Sequence, residues 1–84
     1  MIKILACEWK GDYLIDLEFS DGTQGYFNLH DYLLSRQGPL LEPLRNPEFA
    51  RRFFVDAGAL CWPHGLELSP ERLRGECHLS KVVA

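Results

Sequence analysis

The chain has 84 residues, 46% of them hydrophobic and 25% charged, with a formal net charge of −3. This globular composition excludes disorder and low complexity, and the length fits one domain, residues 1–84, with an adequate but small core. The acidic total disfavours nucleic acid as the main partner, because phosphate backbones are bound by clusters of cations.

Ile2 to Trp9 reads as a first strand, and Lys10-Gly11-Asp12 as the turn that follows. In Y-L-I-D-L-E-F-S (13–20), Tyr13, Ile15, Leu17 and Phe19 alternate with Leu14, Asp16, Glu18 and Ser20. A period of two with one acidic side predicts a strand between core and water. Gln24 to Asn28 supplies a third strand, and the short connections make the meander antiparallel. A two-residue turn at Asp21-Gly22 would set Asp16 opposite Phe27, mixing the faces. A three-residue loop, Ser20-Asp21-Gly22, sets Ile15 opposite Phe27 and Leu17 opposite Gly25. Burial selects this second register, with Gly22 in the left-handed region.

Asn28 caps a short helix, with Asp31 three residues on and Leu29, Tyr32 and Leu33 on its apolar side. Gly38-Pro39 ends it. Residues 39–44, P-L-L-E-P-L, hold too much proline for helix or central strand and read as an ordered loop with its leucines packed down. Asn46-Pro47-Glu48 caps a second short helix. Phe53 to Val55 and Ala59 to Trp62 are strands about an Ala57-Gly58 turn. In C-W-P-H-G-L-E-L-S-P-E-R-L (61–73), Pro63 stops the strand, Gly65 permits a tight turn, Leu66 and Leu68 are apolar pegs, and Ser69-Pro70 starts a third helix that Gly75 ends. The tail, E-C-H-L-S-K-V-V-A, is a last strand or a frayed end.

Cys7, Cys61 and Cys77 leave one cysteine over in any pairing, and the apolar run before Glu8 is too short for a signal peptide. A reducing, cytoplasmic setting is expected. No apolar run reaches the ~20 residues of a membrane helix. Cys61-x-x-His64 and Cys77-His78 have zinc-binding residue types, but their spacing and the apolar run around Cys61 favour core cysteine over metal. None of the three cysteines has a nucleophile's context, and His30-Asp31 reads as a surface pair. No metal, cofactor or catalysis is expected.

Four stretches in order form a fairly specific set: L-E-F-S-D-G-T (17–23), F-N-L-H-D-Y-L (27–33), G-P-L-L-E-P-L-R-N-P-E-F (38–49) and V-D-A-G-A-L-C-W-P-H-G-L-E-L-S-P-E-R-L (55–73). The chain resembles, over nearly its whole length, a family of small bacterial proteins catalogued as domain-of-unknown-function family 2442. The resemblance implies an α+β fold on a small antiparallel sheet. It also implies an antitoxin-like role, since some members are encoded beside a small toxin-like protein, and others are fused to a helix-turn-helix domain. It carries over no catalytic residue.

The expected fold is α+β, a small antiparallel sheet of about five strands with short helices packed on one face. The expected function is a non-catalytic protein-interaction module, with a toxin-like protein or a second copy as partner. Its candidate contacts are Trp62 and Pro63, beside the 38–44 loop, and the first strand as a sparsely charged sheet edge. Trp62 is either a plug under the last helix or an exposed anchor. The alternative is a nucleic-acid-associated regulator using Arg36, Arg45, Arg51 and Arg52, a segment locally positive against the acidic residues 1–31.

Overall fold

The computed structural model describes residues 1–82. Strands β1 (Ile4–Gly11), β2 (Leu14–Phe19) and β3 (Thr23–Asn28) form the antiparallel meander. Ile15 faces Phe27 and Leu17 faces Gly25, as the burial argument requires, and Gly22 has φ +88°. Its N–H closes the loop onto Phe19 O at 3.1 Å. The first turn lies further along than the sequence suggests. Asp12 and Tyr13 occupy it with φ of 52° and 63°, so the chain uses a two-residue turn with positive φ at both centres. Lys10 is taken up as a bulge in β1.

Three helices follow from their caps. The Asn28 side chain accepts from Asp31 N and opens α1 (Leu29–Leu34). Asn46 accepts from Glu48 N and opens α2 (Pro47–Ala50), and Ser69 accepts from Arg72 N and opens α3 (Pro70–Glu76). Two predicted stops are displaced. α1 ends at Leu34, well before Gly38, and α3 runs through Gly75, with Cys77 N–H closing onto Leu73 O at 2.8 Å. The proline-rich loop contains a 3₁₀ turn, Glu42–Arg45, which buries Leu44.

The single five-stranded sheet is not what forms. The meander gains β7 (His78–Val82) beside β3, giving the order β1-β2-β3-β7. A separate three-stranded sheet holds β4 (Phe54–Asp56), β5 (Ala59–Cys61) and an unforeseen two-residue β6 (Glu67–Leu68). β4 runs beside the edge of β1. Ile4 N–H donates to Gly58 O at 2.9 Å at one end, and the Trp9 and Phe53 rings pack 6.4 Å apart at the other. The β1–β2 pairing has register shifts near both ends of β1, the kind of irregularity that commonly interrupts pairing at a sheet edge. The first strand, expected as a bare edge, is therefore partly flanked.

One core joins the layers. Ile15, Leu17, Phe19 and Phe27 from the larger sheet meet Leu29 and Leu33 of α1, Leu44, Leu60, Trp62, Leu68 and Leu73 of α3. Ile15, Leu17, Phe19 and Phe27 thus turn one face of the larger sheet into the core.

Candidate functional site

The four arginines fall into two pairs, and each has an intramolecular contact. Arg36 donates to Glu76 Oε1 at 2.7 Å and lies 4.1 Å above the Tyr32 ring. Arg45 donates to Glu42 Oε1 at 3.3 Å and to Arg36 O at 3.2 Å. Arg51 stands 5.9 Å from the Trp9 ring centroid, and Arg52 stands 5.7 Å from that of Phe49. Ion pairs of this kind, partly exposed, contribute little stability, but they draw charge out of any basic patch.

Trp62 is the plug of the two alternatives. It is 1% exposed, and its indole N–H donates to Ala50 O at 2.9 Å. Neighbouring Pro63 is exposed. The turn after it is tied to the 38–44 loop, where His64 Nε2 lies 2.7 Å from Leu40 O and the His64 ring packs edge-on to Phe49. The stretch 61–73 is a joint, with Trp62 N–H bonded to Leu66 O and Gly65 N–H to Trp62 O.

The cysteines and histidines do not converge. Cys61 is buried in β5 with Sγ 3.7 Å from Ala59 O, and Cys77 Sγ lies 3.7 Å from Arg74 O. His78 stacks on Tyr26 at 4.9 Å, and His30 lies 3.8 Å from Asp31 on the surface. Burial pushes all three thiols above their ordinary values, and nearby Glu67 and Asp56 add to this at Cys61. A reactive cysteine needs the opposite shift. Among the described residues, no group of three or more His, Cys, Asp or Glu is placed to hold a metal ion.

The larger sheet's outer face is different. Its register lines up Glu8, Asp16, Tyr26 and His78 as one row across all four strands. Ala6, Glu18, Gln24 and Lys81 form the next row by position. Glu8, Asp16, Glu18, Tyr26 and His78 are exposed. A depression of about 410 Å³ lies over Ala6, Glu8, Asp16, Glu18 and Gln24. A smaller one, about 190 Å³, lies between α1 and β7 and is walled by the Arg36–Glu76 pair. The alternation of Asp16 and Glu18 signalled an acidic side, but the sequence alone reads it as a solvated strand face. Its alignment with Glu8 depended on where the first turn falls.

A family model described as "Protein of unknown function (DUF2442)" matches residues 6–78. No curated protein matches the chain, and no solved structure does.

Proposed function

The chain belongs to the DUF2442 family, and from that premise we propose a non-catalytic, antitoxin-like protein-interaction module that binds a partner protein through the open face of its larger sheet. One observation carries this reading. The sheet buries one face in the core, while the other stays uncovered and is shaped into a depression of about 410 Å³. Surfaces of that kind suit recognition better than chemistry, since the polar side chains on them are held by strands and spread across the sheet. Three unpaired cysteines suit a reducing, cytoplasmic setting. No helix among the described residues is long and apolar enough to cross a membrane.

Pro63 remains a candidate contact at the rim of the 61–65 turn, while buried Trp62 acts as its support. Arg45, Arg51 and Arg52 are exposed, and Arg36 is half-buried.

The test is carboxyl footprinting of the native protein recovered from its own cells with whatever it binds. Bound protein that protects Asp16 and Glu18 supports the reading. A monomer that captures no protein and retains nucleic acid at moderate salt refutes it, and the regulator built on the arginines takes its place.

A further inference from the structure

Resting on the interaction-module reading, we propose that the segment seated on the open sheet face is rich in lysine and arginine. The argument is charge complementarity on an unpartnered sheet face. Glu8 lies directly opposite Asp16, and Glu18 lies on the same side of β2, two residues on. Like charges directly opposite one another weaken strand pairing, so the fold holds this pair against a local cost. Lys10 lies 3.7 Å from Glu8, in an ion pair exposed at both ends. Among the described side chains, Asp16 and Glu18 have no ion-pair partner.

The same row continues into an aromatic. Tyr26 is opposite Asp16, is 37% exposed, and is braced from behind by its stack on His78. A carboxylate beside an exposed ring is a double recognition element for a guanidinium, which forks onto carboxylates and stacks on aromatic faces. Four strands spaced about 4.8 Å apart make a platform roughly 14 Å wide. That seats a single helix, about 10–12 Å across with its side chains, or one extended arm. The chain's net charge of −3 also draws a cationic segment towards it.

The experiment uses the full chain, isotope-labelled for NMR, titrated with a nona-arginine peptide at physiological ionic strength. Amide shifts should cluster at residues 6–8, 16–18 and 24–26. Affinity should fall about tenfold or more in the triple variant Glu8→Gln/Asp16→Asn/Glu18→Gln. It should stay within about twofold in Glu42→Gln/Glu48→Gln/Glu71→Gln, which changes the net charge equally but lies off this face. Shifts mapping elsewhere, or equal losses in the two variants, would overturn the proposal. If a native partner is footprinted on this face but the first triple variant still holds it undiminished, the cationic assignment falls and the interaction module stands. If no protein protects the face in the native footprint, both fall.

Discussion

Replacing Gly25 by alanine tests whether β7 is a paired member of the larger sheet. Gly25 has Leu17 opposite on one side and Leu79 on the other. An alanine Cβ would stand 2.6 Å from His78 O and 3.0 Å from Leu79 Cα. Both are backbone atoms, so no rotamer change relieves the contact. Reaching an ordinary 3.4 Å contact requires the β7 backbone to recede by roughly 0.8 Å. A ladder bond of about 2.9 Å would then stretch to about 3.7 Å, outside hydrogen-bonding range. Losing two such bonds at about 1 kcal/mol each gives about 2 kcal/mol, within the range for an overpacked site. Without the clash the sign reverses, because a tolerated Gly→Ala change stabilises by about 0.4–1 kcal/mol through the unfolded chain. For a domain of this size, 2 kcal/mol corresponds to a fall in Tm of about 8–16 °C. Thermal melting reads the global cost, and hydrogen exchange at the Leu79 amide reads local release of β7. A Tm at or above wild type, with Leu79 as protected as before, would refute the reasoning.

Ala57 has φ 52° in the two-residue turn between β4 and β5. Ala57→Asn, which creates the favoured Asn-Gly pair, should stabilise by about 0.5–1 kcal/mol, measured as a rise in the urea midpoint at unchanged slope. Trp62→Phe removes the donor to Ala50 O and leaves a buried carbonyl unpaired. It should cost about 1–3 kcal/mol in the same assay. Asp21 accepts hydrogen bonds from Thr23 Oγ1 and Thr23 N, and from Arg74 Nε, and these bonds, Thr23's first, hold its carboxyl below the ordinary value. A depressed folded pKa contributes stability that is present above the ordinary aspartate value of about 3.9 and is lost as pH falls below it. Urea midpoints against pH should therefore show a weaker acid dependence in Asp21→Asn than in wild type.

Signals carried by a few neighbouring residues are legible in the sequence itself. Alternation through residues 13–20 fixes which side chains are buried, and burial alone then selects the bulged Ser20-Asp21-Gly22 loop over the tighter turn. Asn28, Asn46 and Ser69 declare helix starts because capping is a bond between residues two or three apart. Helix ends were less legible, since α3 passes through Gly75 when Cys77 N–H finds Leu73 O and the chain continues into a strand. The first turn was misplaced because neither Asp12 nor Tyr13 announces a positive φ. Tyr13 is held there by tertiary contacts, its hydroxyl donating to Leu44 O at 3.0 Å and its ring packed edge-on to Trp9. A turn at residues 10–12 would put Glu8 opposite Leu14, so the acidic row depends on the turn lying at Asp12-Tyr13. Which strands share a sheet was beyond local reading altogether. β7 reaches β3 from some fifty residues away, and Arg36 finds Glu76 from forty. Such pairings are chosen by which closure buries the most apolar surface and leaves the fewest backbone groups unpaired, and that comparison involves the whole chain at once.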